Sequence, residues 1–472
     1  MPNTRISDRT RDLKAKLFRS QVRVWDKLSQ KEKGQVLSFA EGYLDFLNRC
    51  RTERMVVRHF VERASKAGFH DVDNRRRPSS KLFRVMRGKA LAVAVIGKKP
   101  ITQGFRLIAS HIDCPRLDLK PNPLYEDMGL ALLKTQYYGG VKKYQWVSRP
   151  LALCGTISRG DGSVVDVEMG LKPDEPVFTI PDLLPHLARK QMEQKASEFI
   201  PGESLNLIVG STPYSSEETD ERVKLKVLEL LQRKYNITEE DFISAEIQVI
   251  PAEPARDAGM DRGLIAGYGQ DDRVCAYACF TALLDTVNSE HTAIAIFFDK
   301  EEIGSEGNTS AQSRFLEMFL ADLMENTGTE PSSGNLQKAF FCGRALSADV
   351  AAAIDPTYAD VYEKRNDAKL GYGIALKKYT GRGGKSQASE ANAEYTGWVR
   401  RLLNSNGVIW QAAVLGKVDE GGGGTVAKYL ANMGMETIDC GPPILGMHSP
   451  LEVSSKDDIW MCHRAFKAFF GS

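Results

Sequence analysis

Long apolar runs are missing from the chain. Its longest, such as "LAVAV" and "AIAIFF", fall far short of the roughly 18 residues that a membrane-crossing helix needs. Net charge is missing too. Against 63 basic residues stand 61 acidic ones, a formal +2, so no global field draws the protein to nucleic acid or to a membrane surface. No Cys-x-x-Cys pair occurs. The cysteines Cys50, Cys114, Cys154, Cys275, Cys279, Cys342, Cys440 and Cys462 are scattered. That argues against a structural zinc finger and reads as reduced, mostly buried thiols of a cytoplasmic protein. The opening stretch "MPNTRISDRTRDLKAKLF" has no apolar signal-peptide core, and its aspartates do not suit a transit peptide. No internal repeat is visible.

What the chain does have is length and rhythm. At 472 residues it is too long for one small core and suggests two domains, one inserted in the other. Residues 30–67 space their apolar side chains three and four apart and read as helices. "KALAVAVIG" and "GFRLIASHID" suit neighbouring strands. From about 119 the texture becomes short alternating runs cut by Gly, Pro and Asp, a β-rich pattern, with one amphipathic helix in "SEETDERVKLKVLELLQRKYN". From about 259 strand and helix alternate to the end. "TAIAIFF" is the clearest fully buried strand, and "KDDIWMCHRAFKAFF" is a closing helix. The expectation is an α/β fold: a central mixed sheet flanked by helices, made of residues 1–118 and 259–472, with a β-rich insert at 119–258.

Metal-type side chains recur where strands end. "IASHIDCPR" supplies His111 and Asp113, two apart and so on one face of an extended strand. "YGQDDRVCAY" supplies Asp271 and Asp272 just before a helix. "FFDKEEIGS" supplies Glu301 and Glu302, "LSADVAAAID" supplies Asp349, and "ILGMHSP" supplies His448. In an open α/β sheet, sites gather beyond the carboxyl ends of strands. A carboxylate bridge, two histidines and further carboxylates would suit a pair of zinc-like ions, and two such ions can clamp and activate one water. Cations would also account for adjacent glutamates beside a core, which otherwise repel. Each piece has a plain alternative. Asp-Asp before a helix can be a solvated cap, Glu-Glu a helix start, and a His before Ser-Pro a packing residue.

"SHIDCPRLDLKPNP", "GQDDRV", "DKEEIGS", "SADVAAAIDP" and "GMHSPLEV" occur in the order and spacing of the aspartyl aminopeptidase and vacuolar aminopeptidase I family of zinc exopeptidases, which the chain resembles from about residue 35 to its end. The resemblance implies that His111 and Asp349 bind one ion, that His448 and Glu302 bind the other, and that Asp271 bridges them. It implies Glu301 as general base and Asp113 as the group orienting His111. One departure stands out: Asp272 occupies a position where members usually carry Asn. Cofactors would be two Zn2+ per chain, with Co2+ or Mn2+ also accepted by such a ligand set.

The same resemblance implies an insert that builds a dimer, dimers that assemble into a dodecamer, and peptide substrates with a free N-terminus. His186, in "FTIPDLLPHLARK", resembles a residue reaching a neighbour's active site, with a packed helix-start histidine as the alternative. "DEGGGGTVAKYL" lacks a P-loop ending. The resemblance instead implies that its Asp419, Gly424 and Thr425 belong to the substrate pocket wall, with a plain tight loop as the alternative; Met447 and, from "YTGRGGKSQAS", Lys385 are expected on the same side. "YYGGVKKYQW" mixes aromatic and basic residues but reads as a hairpin rather than a nucleic-acid site. Cys275 and Cys279, one helical turn apart, read as core. The resulting expectation is a dinuclear zinc aminopeptidase. A related two-metal deacylase or carboxypeptidase, and a non-catalytic scaffold, remain the other readings.

Overall fold

A computed structural model describes residues 8–74, 78–216 and 219–472. The first residues of the opening stretch, and two near the start of the "SEETDERV" helix, lie outside that set.

Among the described residues a nine-stranded sheet forms the centre. Its middle four strands, Thr292–Phe298, Phe105–His111, Arg344–Ser347 and Glu436–Gly441, run parallel. Ala90–Val95 and Lys81–Met86 extend it antiparallel on one side, and Ile374–Lys377 joins antiparallel on the other. The alternation of side chains shows why these segments are strands buried on both faces. Ala293, Ala295 and Phe297 join one hydrophobic cluster, while Ile294, Ile296 and Phe298 join another across the sheet. On the first face Phe60, from helix Glu53–Lys66, stacks on Phe280 at 4.1 Å and lies 4.9 Å from Phe297. Helix Phe315–Asn326 covers the second face with Phe315, Phe319 and Leu323.

The β-rich region forms a separate six-stranded antiparallel sheet made of strands between Arg116 and Pro251, with helix Arg222–Tyr235 against it. The sheet begins inside the residues assigned to the first segment, because the chain turns back into extended conformation only a few residues after His111. It ends before 258. Arg256–Ala258 instead pairs with Leu264–Gly267 in a third, five-stranded sheet. Helix Ser333–Cys342 and strand Ile374–Lys377 are among the elements with no counterpart in the sequence pattern. "ALSADVAAAID" is two strands in different sheets, Arg344–Ser347 and Ala351–Ala352, with Asp349 at the break. Cys275 and Cys279 are buried, as are the other cysteines except Cys342, and none forms a disulfide. No described helix is long and apolar enough to cross a membrane.

Candidate metal centre

The parallel strands deliver their chemistry at one end. His111 is the last residue of its strand, Glu301 and Glu302 come just after Phe298, and Asp349 just after Ser347. The adjacent glutamates face one cavity because the strand stops. Lys300 (φ 68°) and Gly304 (φ 98°) bracket a single 3-10 turn, Glu301–Ile303, so the two side chains no longer alternate across a pleat.

Asp271 sits between the histidines. His111 Nε2 is 3.2 Å from its Oδ1, and His448 Nε2 is 3.3 Å from its Oδ2. Glu302 Oε2 is also 3.3 Å from His448 Nε2, while Glu301 Oε2 stands 4.0 Å from His111 Nε2. His111, Asp271 and Glu302 present ligand-type atoms within 4.8 Å of one another, and so do Asp271, Asp272 and Asp349. All of these except Asp272, together with Glu301 and His448, line a cavity of about 410 Å³.

The electrostatics call for cations. Asp271 Oδ1, Glu302 Oε1 and both oxygens of Asp272 are buried without a hydrogen bond. Burial, together with the charges of neighbouring carboxylates, pushes Glu301 up to about 8 and Asp349 up to about 6, and drives Glu302 and Asp272 well above the usual carboxylate range. Buried carboxylates at this density are costly unless neutralised. The donor set, imidazole nitrogen with carboxylate oxygen, is one that divalent zinc-like ions take.

Two buried carboxylates hold the frame. Asp113 Oδ1 accepts the amide of Glu301 at 3.1 Å, and its Oδ2 accepts the amide of Glu302 at 3.2 Å and the Tyr138 hydroxyl at 2.8 Å. Its relation to His111 differs from the shared strand face expected. The strand ends at His111, and the imidazole Nδ1 faces the Asp113 backbone carbonyl at 3.0 Å, with the carboxylate at 3.4 Å. Glu452 is the second clamp. It accepts the amides of Gln270 (2.6 Å) and Asp271 (3.1 Å) on one oxygen and that of His448 (2.8 Å) on the other. Sequence motifs alone passed over Glu452. Its only signal was a carboxylate four residues beyond a candidate ligand, in "HSPLEV".

Gly424, Thr425 and Met447 line the same cavity. Asp419 is an exposed turn residue outside the lining. Lys385 also lies outside it, paired with Glu390 at 2.9 Å and 4.3 Å over the Tyr379 ring. Other cations line the wall: Arg382, Lys428 and Lys377. Lys377 is buried and donates to the Val350 carbonyl at 2.8 Å. Against the cost of burial, Asp349 and Asp439 hold its ammonium above the usual range. His186 is neither packed nor at the cavity. It is exposed on the insert, ahead of the short helix Arg189–Met192. "YYGGVKKYQW" is not a hairpin. The strand stops at Tyr138, the glycine pair turns the chain, and a 3-10 turn, Lys143–Trp146, comes next.

A buried imidazole, a half-buried one and a cluster of carboxylates, gathered beyond the ends of parallel strands at one cavity, define the class as a metal-dependent hydrolase. The comparisons narrow it. A family described as aminopeptidase I zinc metalloprotease (M18) matches residues 46–470, and the chain belongs to that M18 peptidase family. A probable M18 family aminopeptidase 1 of Borrelia garinii subsp. bavariensis is 48% identical over 451 residues, 94% of this chain and 98% of the relative. The crystal structure of an M18 aminopeptidase from Thermotoga maritima superposes with a TM-score of 0.92 at 46% identity, covering 96% of this chain and 99% of that one. Aminopeptidase I from Clostridium acetobutylicum gives 0.90 at 44%, covering 97% and 100%. The protein is therefore an aminopeptidase, a zinc metalloprotease that removes N-terminal residues.

Proposed function

We propose that the site works with two divalent ions. The observation that carries this reading is the Asp271 carboxylate, which turns one oxygen to each histidine. His111, Asp271 and Asp349 would hold one ion; His448, Asp271 and Glu302 would hold the other. Bound there, such ions supply Lewis-acid polarisation of the scissile carbonyl and lower the pKa of the attacking water. Zinc is the family's metal, and cobalt or manganese suit the same donors.

The protein's own groups do the rest. Glu301 takes a proton from the attacking water and returns it to the leaving amine. Its side chain is 16% exposed against 3% for Glu302, so it reaches toward substrate while Glu302 stays among the ligands. Asp113 holds the amides of both glutamates, which fixes the aim of each carboxylate. Gly422 to Thr425 bring backbone to the cavity wall; Gly422 (φ 132°) packs so tightly that a Cβ there would stand 2.3 Å from the Gly381 carbonyl. Dialysis against a strong chelator should abolish hydrolysis of aminoacyl chromogenic substrates, and added zinc should restore it with two ions bound per chain. Metal analysis and rate on the same samples decide this. Full activity in verified metal-free protein, or a fully active enzyme with one ion, overturns the reading.

The insert is read as an assembly surface. Val177, Leu183, Leu184, Leu187 and Met192, close to His186 along the chain, are exposed, and exposed apolar side chains concentrated in one segment mark an interaction surface. A homo-oligomer of dimers, a dodecamer in its full form, would cover them and bring His186 to a neighbour's cavity. Light scattering should give many chains per particle, and a strict monomer at working concentration removes this role. The eight unpaired thiols support a cytoplasmic setting.

A further inference from the structure

We infer that the β-rich insert is part of the metal centre itself: the turn Tyr138-Gly139-Gly140 positions ligands of both ions, so that metal binding and the docking of the insert are linked. This rests on the two-ion reading above.

The strand register brings the turn there. Tyr138 is the cross-strand partner of Arg116, three residues after Asp113. The Arg116 guanidinium lies 3.8 Å over the Tyr138 ring and fixes its direction. The phenolic hydroxyl then donates to Asp113 Oδ2 at 2.8 Å. Asp113 in turn lies beside His111 and accepts the amides of Glu301 and Glu302. One hydroxyl of the insert thus braces a ligand from each ion and the base between them.

The glycines reach the other side. The Gly140 carbonyl is 3.1 Å from His448 Nδ1, the contact that leaves Nε2 free to face Asp271 and Glu302. A Cβ on Gly140 would stand 3.2 Å from that same Nδ1, and a Cβ on Gly139 (φ 72°) would stand 3.3 Å from Glu302 Cβ. The turn here needs φ above zero only at Gly139. It does not need two successive residues stripped of side chains against two different ligands. The pair is glycine because the backbone passes within contact distance of His448 and Glu302.

Linkage makes the effect reciprocal: whatever the insert contributes to ion affinity, the ions return as stability of the docked insert. Hydrogen exchange on the full-length parent, with and without zinc, tests this directly. Protection should rise across 130–146 as well as around the ligands, and a rise confined to the segments that carry the ligands, around 105–113 and within 259–472, overturns the inference. Tyr138→Phe keeps the ring and removes the hydroxyl. Zinc affinity, read by competition with a chromogenic chelator, should fall about 10- to 100-fold, while KM at saturating zinc stays at the parental value. Tyr137→Phe, next door and pointing away from the site near Gly202, should bind zinc as the parent does. Gly140→Ala should weaken zinc binding in the same assay. Parental zinc affinity in both Tyr138→Phe and Gly140→Ala sinks the inference. A parent that binds fewer than two ions sinks the two-ion reading instead.

Discussion

Glu301→Gln is expected to lower kcat by about 10²–10⁴, the usual worth of a general base, while metal content and KM stay close to the parent's. Glutamine keeps the length and shape of the side chain and its place in the 3-10 turn, whose amides remain on Asp113. What disappears is the oxygen able to accept a proton. Glu301 is the most exposed of the carboxylates whose contacts with the two histidines define the site, so its loss leaves the ion-holding set intact. Turnover and metal stoichiometry on the same purified variant are the measurements. A variant nearly as active as the parent would remove Glu301 from its role even with fold and metals unchanged. A variant that loses metal would make it a ligand instead.

Asp271→Ala should do the opposite to the metal. Its two oxygens face His111 and His448 separately, so one truncation takes a donor from both halves of the site at once. Metal content should fall from two ions toward none at micromolar zinc, and activity should fall to that of chelated parent. Asp349→Ala, whose side chain groups with Asp271 and Asp272 alone, should lose one ion and keep the other. Inductively coupled plasma analysis after gel filtration distinguishes the cases. If Asp271→Ala and Asp349→Ala lose the same amount of metal, the bridging assignment falls.

The cluster of candidate ligands was legible in the sequence because most of its members lie in short motifs at the ends of apolar runs. "TAIAIFF" could only be a buried strand, and the acidic residues directly after it could only lie near a sheet end. Tyr138 and Glu452, which brace that cluster, were not disclosed, for a physical reason. Tyr138 meets Asp113 across 25 residues and Glu452 meets Asp271 across 181. Nothing local distinguishes a tyrosine that donates to a buried carboxylate from one that packs, or a glutamate that clamps two amides from a solvated one. Lys377 escaped for the same reason: its strand, Ile374–Lys377, is four residues long and buried throughout. Lys385 was expected from a Gly-rich loop and Asp419 from the resemblance, and neither signal tells which way a loop faces. The wider reading of the fold survived because two-sided burial leaves a plain mark in composition, whereas "ALSADVAAAID" conceals a change of sheet inside a single apolar run.

The order of strands in the central sheet has a consequence for how the chain is made. Phe105–His111 pairs with Thr292–Phe298 on one side and Arg344–Ser347 on the other, and both partners lie beyond the insert. On a ribosome adding about 5–20 residues per second, the strand that ends in His111 waits on the order of ten seconds or more for its first neighbour. The strands of the insert meet sooner; Arg116–Asp127 and Leu130–Tyr138 form a hairpin at once. The newborn chain therefore carries a finished antiparallel sheet beside an apolar strand with both edges bare. Such an edge recruits other strands, which makes this segment the point where chaperones would hold the nascent protein and where misassembly would begin.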